Sequence, residues 1–167
     1  DVDMLPTPVQ PGGIPIWVSG RQEGPMKRAA RLGDGWHPYM YTADRCKISF
    51  DQVVEYADGY GRKLPEDYAW ACFIYVSLYD DIDEARKWGV KELSYRYDQD
   101  FAGLVDKYCA YGPSERVIEY LSNYIDAGVN YFILAPIMAR DDRSTHLEKL
   151  AKEVISELEK MEPGKIL

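Results

Sequence analysis

The chain has 167 residues, 28 acidic against 20 basic, for a net charge of −8. That length suits one domain with a real core, and the acidic balance argues against nucleic acid or an anionic membrane as the main partner. No apolar run is long enough to span a bilayer and no signal-peptide pattern opens the sequence. The start Asp1-Val2-Asp3, with no Met, fits a fragment or a trimmed chain. Cys46, Cys72 and Cys109 are odd in number, widely spaced and without a C-x-x-C pair, which fits free thiols in a reducing cytoplasm. His37 and His146 lie far apart, so no metal site is expected.

Residues 1–13 are rich in Pro and Gly and read as an extended lead-in. Ile14, Ile16, Trp17 and Val18 resemble a strand covered on both faces, placed over Ile14–Ser19. The polar turn Ser19-Gly20-Arg21-Gln22-Glu23-Gly24 follows. Pro25 suits the first position of a short helix; Met26, Ala29, Ala30 and Leu32 give it an apolar face, and Gly33 can close it in the left-handed conformation. Such a turn aims backbone N–H groups at one point, at the positive end of a helix dipole, which suits a phosphate. The same pattern also serves as a plain βα connection. Asp34, between two glycines, is expected to fix the turn. Gly35–Tyr41 is a second strand whose pairing ends near Pro38, which has no N–H to give a ladder.

Ser49-x-x-Gln52 has capping-box form, and Phe50, Val53, Val54 and Ala57 recur at helical spacing, predicting a helix to about Gly61. Leu64–Asp67 is a turn and Tyr68–Tyr79 an aromatic and β-branched strand. Asp81 with Glu84 starts a helix through Tyr97, and a tyrosine-rich stretch, Phe101–Cys109, reads as a second. Gly112-Pro113 opens a helix with Val117, Ile118, Leu121 and Ile125 on one face, ended by Gly128. Asn130–Pro136 is the last strand. Thr145-x-x-Glu148 caps the final helix, whose Leu147, Leu150, Val154, Leu158 and Met161 form a core-packing stripe. Strand then helix, four times over, predicts a parallel sheet with right-handed crossovers in an α/β fold. A self-contained doubly wound parallel sheet is one such architecture.

The stretch IPIWVSGRQEGPMKRAARLGDGW, from Ile14 to Trp36, resembles the luciferase-like flavin-dependent oxidoreductases, whose pattern is an apolar strand, two glycines, a polar pair, Ala-Ala-Arg, then Gly-Asp-Gly and an aromatic. Gly112-Pro113-Ser114-Glu115-Arg116-Val117 is similar to that family's helix start, and Asp126–Leu134 to its last helix-to-strand passage. The lead-in Pro6–Pro11 fits as well. The resemblance implies the C-terminal half, strands 5–8, of a (β/α)8 TIM barrel: a lead-in over 1–13, about four βα units over 14–162 and a tail over 163–167. In such barrels the chemistry sits at the carboxyl ends of the strands.

The resemblance further implies that Ser19, Gly20, Arg21, Gln22, Glu23 and Gly24 hold the phosphate of FMN or coenzyme F420. The family often has Gly at the position of Ser19 and Ser at that of Gln22; Arg21 offers a compensating charge. Trp36, His37, Tyr39, Ser77, Tyr79 and Pro136 fall at strand ends as substrate-pocket candidates, with Leu78, Ala135, Met138 and Arg140 beside them. His37 is the one candidate acid or base. The expected function is a flavin-dependent oxidoreductase or monooxygenase acting on a small organic substrate, since the cofactor carries the redox chemistry. The alternatives are a non-catalytic flavin- or phosphate-binding reduced barrel, or an assembly fragment that needs a partner half. Four βα units leave two bare strand edges, so the chain is expected to pair with a missing N-terminal half-barrel or with a second copy.

Overall fold

The computed structural model describes residues 5–139 and 142–167. Five strands form one parallel sheet: β1 Trp17–Gly20, β2 Gly35–Pro38, β3 Ala69–Leu78, β4 Cys109–Gly112 and β5 Tyr131–Pro136. β1 pairs with β2, β2 with the start of β3, and β5 with Ala71–Val76 of β3. The four expected strands are therefore in sequential order, with β1 and β5 at the outer edges. β4 begins at Cys109, where the sequence predicts the end of a helix. It pairs with Tyr75–Leu78 of β3. Phe73 faces Tyr39 on one edge and Ile133 on the other, and Tyr75 faces Cys109 and Ala135. β2 and β4 thus share one edge of β3, β4 taking over where Pro38 ends the β2 ladder.

β1 begins at Trp17, later than expected. Pro15 has no N–H, and the N–H of Ile16 donates instead to the Asp34 carboxylate at 2.8 Å. Asp34 also donates its own N–H to Ile16 and accepts from Ala69, so it ties the turn as expected. The rings of Trp17 on β1 and Tyr131 on β5 meet edge to face with centroids 4.6 Å apart. Laid flat, strands three places apart would stand about 14 Å from each other. The sheet is therefore strongly curved, and the parity of Trp17 and Tyr131 marks its concave face: Trp17, Gly35, His37, Ala71, Phe73, Tyr75, Tyr131, Ile133 and Ala135. The other parity, with Val18, Trp36, Cys72, Ile74, Val76 and Leu134, packs under the helices in the larger core.

Helix α1 spans Glu23–Leu32, so Pro25 stands at its third position, not its first, and Gly33 is extended rather than left-handed. Gly33 is there for proximity, since a Cβ would come within 3.1 Å of Val18 and the Ala29 carbonyl. α2 runs Ala43–Gly59 and starts earlier than Ser49; Thr42 is the cap, accepting from the Arg45 N–H. Ser49 lies mid-helix and fully buried, accepting a 3.1 Å bond from the Trp36 indole and donating to the Cys46 carbonyl. α3, Ile82–Tyr97, is capped by Asp81 as predicted. It lies on the carboxyl end of the concave face with Phe101 and Val105, forming a second core around Tyr75. The predicted 101–109 helix shrinks to one turn, α4 Val105–Tyr108. α5 is Ser114–Asp126. The last helix, α6, begins at Arg143 with Asp142 as its cap, so Thr145 is inside it; Arg143–Lys149 continues through a π-helical Leu150–Ile155 into a closing turn, Ser156–Leu158. Leu150, Val154 and Leu158 are buried, while Leu147 and Met161 remain well exposed. Residues 163–167 fold back on α5, where Gly164 donates to the Ile125 carbonyl.

Candidate functional site

The turn after β1 and the turn after β2 open side by side, because parallel strands place all their carboxyl ends at one rim of the sheet. Between them lies a cleft of about 480 Å³ walled by Arg21, Gln22, Tyr41, Thr42, Arg45 and Lys107, with Met40 and Tyr108. Arg21 comes from the β1 turn, Arg45 from the first turn of α2, and Lys107 from α4. Tyr41, buried, donates its hydroxyl to the Arg21 carbonyl at 2.9 Å and so holds the first turn against the second. The Arg21 guanidinium lies 5.9 Å from the Tyr39 ring and 6.0 Å from the Tyr41 ring, and that of Arg45 lies 5.3 Å from Tyr41. At the same rim α1 begins, and the Gln22 side chain makes no capping bond there. Its first N–H groups, on Glu23 and Gly24, are the kind that bind an anion.

The sequence-predicted loop is therefore half of a basic cleft. Arg21 and Gln22 line it. Glu23 contributes no carboxylate, because its side chain is turned to Lys27 at 2.7 Å and to the Tyr56 hydroxyl, which together hold its pKa below the usual value. Gly20 has φ +154, and a Cβ there would sit 2.7 Å from Pro25 Cβ and Cγ. The glycine lets the turn close onto α1, a structural need that stands without any ligand. Tyr41, Thr42, Arg45 and Lys107 were missed. Thr42 carried a readable cap signal, obscured by the competing Ser49 pattern; Lys107 carried none, since only the return of the chain before β4 brings it here.

Tyr39 joins this cleft to the concave face. That face carries His37, Tyr39, Phe73 and Tyr75, with His37 and Phe73 6.4 Å apart and Phe73 and Tyr75 5.0 Å apart between ring centroids. His37 Nε2 is buried and without a hydrogen-bond partner. Burial lowers its pKa, so the neutral ring is favoured. A neutral imidazole can accept a proton or hydrogen bond at one ring nitrogen and donate one at the other.

The other pocket candidates lie elsewhere. Trp36 and Leu78 are on the convex face inside the core. Ser77 is on the concave parity but sealed under α3, its hydroxyl donating to the Ala85 carbonyl at 2.8 Å. Tyr79 stacks on Trp88, meets His146 edge to face and accepts from the Ala139 N–H. Pro136 faces an apolar groove of about 680 Å³ between β5 and α6, on the far side of the sheet from His37. Arg140 lies outside the described residues.

A family model for luciferase-like monooxygenases matches residues 1–131. The chain belongs to the luciferase-like monooxygenase family. Monooxygenase RslO1 of Streptomyces bottropensis superposes with a TM-score of 0.70 at 19% identity over 93% of this chain and 51% of its own. The coenzyme F420 dependent tetrahydromethanopterin reductase of Methanopyrus kandleri gives 0.68 at 16% identity, over 86% and 51%. The oxygenating constituent of 3,6-diketocamphane monooxygenase of Pseudomonas putida, in complex with FMN, gives 0.67 at 18% identity, over 89% and 49%. This luciferase-like chain thus spans about half the length of the structures it resembles, in keeping with a half-barrel of parallel strands. No curated protein matches its sequence.

Proposed function

We propose that this chain is the cofactor-anchoring half of a luciferase-like oxidoreductase acting on a small organic substrate. The observation that carries the reading is a basic cleft whose Arg21 lies 5.9 Å from the Tyr39 ring, which pairs in turn with Phe73 of the aromatic concave face, a match for a molecule with a flat ring system and an anionic end. The residues fit a flavin-type cofactor, FMN or F420. Arg21 and the start of α1 would hold the anionic end, and Tyr39, His37 and Phe73 would border the rings. Such a cofactor supplies the redox chemistry when bound. The chain's own part is to bind and orient it and to keep water from one face. His37, held neutral, offers its free Nε2 to a hydrogen-bonding group of cofactor or substrate.

Among the described residues the outer edges of β1 and β5 have no ladder partner, which favours association with complementary strands, from another half-barrel or a second copy, and the buried free thiols agree with a cytoplasmic setting. Fluorescence titration of FMN and F420 tests the reading. Arg21→Gln is expected to weaken both by about ten-fold or more, the scale of one charge-assisted hydrogen bond. Equal affinity in wild type and variant removes the cleft as the anchor. Sedimentation of the purified chain at low micromolar concentration tests the association; a well-folded monomer would refute it.

A further inference from the structure

The cleft carries more positive charge than a phosphate monoester needs. On a protein of net charge −8, three cations from three separate elements converge on it, and no Asp or Glu among the described residues lines it. None of Arg21, Arg45 and Lys107 is in an ion pair with a described residue, so their charge is not neutralised within the cleft. The Glu23 carboxylate, next to Gln22 in the chain, is bound to Lys27, and that of Asp106, next to Lys107, to Arg86 and Tyr111. Arg21 and Arg45 are held near one ring, that of Tyr41, at 6.0 and 5.3 Å, where they repel each other unless anions lie between them.

A terminal phosphate is matched by Arg21 together with the N–H groups that open α1. Arg45 and Lys107 stand on the other walls and call for further negative groups along the same ligand. We infer that the cleft is built for a deazaflavin cofactor of the F420 type, whose phosphate continues into a chain bearing several carboxylates, rather than for FMN, which ends at its phosphate. Arg45 and Lys107 are the specificity-determining residues: they meet the carboxylates beyond the phosphate. This inference rests on the reading of the cleft as the cofactor's anionic anchor.

The test is direct binding, read by cofactor fluorescence at low and high salt, with FMN and with F420 carrying one or several glutamates. Wild type and the Arg45→Gln, Lys107→Gln and double variants are compared. Both side chains are exposed, and thermal melts confirm that the variants fold. F420 is expected to bind at least about ten-fold tighter than FMN, more so with more glutamates, with an advantage that shrinks as salt rises. The double variant is expected to lose roughly a hundred-fold in F420 affinity, from two charge-assisted contacts, and less than about three-fold for FMN. FMN binding as tightly as F420, or an equal loss for both cofactors in the double variant, overturns the inference and leaves the anchoring role intact. Failure of wild type to bind either cofactor at millimolar concentration overturns the anchoring role itself, and this inference with it.

Discussion

Gly35→Ala should destabilise the chain far more than one methyl group suggests. Gly35 stands between Trp17 on β1 and Ala69 on β3 in one row across the sheet. An added Cβ would lie 2.7 Å from Ala69 Cβ, 2.8 Å from the Ala69 carbonyl oxygen and 2.9 Å from Trp17 Cδ1. Two of these three atoms belong to a paired strand and cannot rotate away. The third is a ring already lodged against Tyr131. Overpacking of this kind costs about 1–3 kcal/mol, and the rigid neighbours place it at the upper end, about 3 kcal/mol. Against a total stability of roughly 5–15 kcal/mol that is a large share. In a chain of this size it corresponds to a Tm lower by roughly 6–12 °C. Gly59→Ala is the matched control: it lies in the last turn of α2 with nothing within 4 Å of an added Cβ. It should be neutral or gain up to about 1 kcal/mol. Melting followed by far-UV circular dichroism reads both. If Gly35→Ala melts together with Gly59→Ala, the close packing of the concave floor is wrong.

Arg62 donates to the carbonyls of Ala29, Ala30 and Gly33 at 3.3, 3.0 and 2.8 Å, closing the end of α1; Arg62→Lys, which loses the fork, should cost about 1–2 kcal/mol in urea unfolding, and an unchanged midpoint would contradict that role. His37 is held neutral by burial, so its contribution to stability is present above the ordinary imidazole value of about 6.5 and is lost as pH falls through the lower folded value. Denaturant melts from neutral down to about pH 5 should show a shallower acid decline in His37→Gln than in wild type; identical declines would exclude His37 as a source. Cys46 and Cys72 lie with their sulfurs 3.6 Å apart, their shared hydrogen bond and burial pushing the Cys46 thiol up, and burial pushes Cys109 up to about 12. Iodoacetamide should therefore label none of the three in the native protein and all three in urea, and rapid native labelling by mass spectrometry would show the packing around them to be open.

The parts legible in the sequence are those whose local signals had no rival. β3 combined length with β-branched and aromatic content, and the Asp81 cap of α3 was unopposed. Ser49 misled because a side chain that hydrogen-bonds within its own helix resembles a cap. Trp36 misled for a different reason. Strands covered on both faces are apolar throughout, so period two gives no sign of which parity turns inward. Only the Trp17 and Tyr131 contact, across three strands, decides that His37 faces the site and Trp36 the core. β4 is short and has no alternation. It is a strand because β2 stops at Pro38 and leaves the edge of β3 open. Likewise the turn after β1 could be located from its glycines and Arg21, while the other walls of the cleft could not, because tertiary contacts alone bring Arg45 and Lys107 beside it.

β2 and β4 occupy successive stretches of one edge of β3 and share no ladder with each other. The cleft straddles that break, with Arg21 and Arg45 on the side of β2 and Lys107 just ahead of β4. A ligand seated there spans two segments that are joined only through β3 and can open separately. Its binding energy is therefore shared between them. Amide hydrogen exchange in the bound protein should slow in Cys109–Gly112 as much as in the turn after β1, although the ligand lies against only one end of that strand.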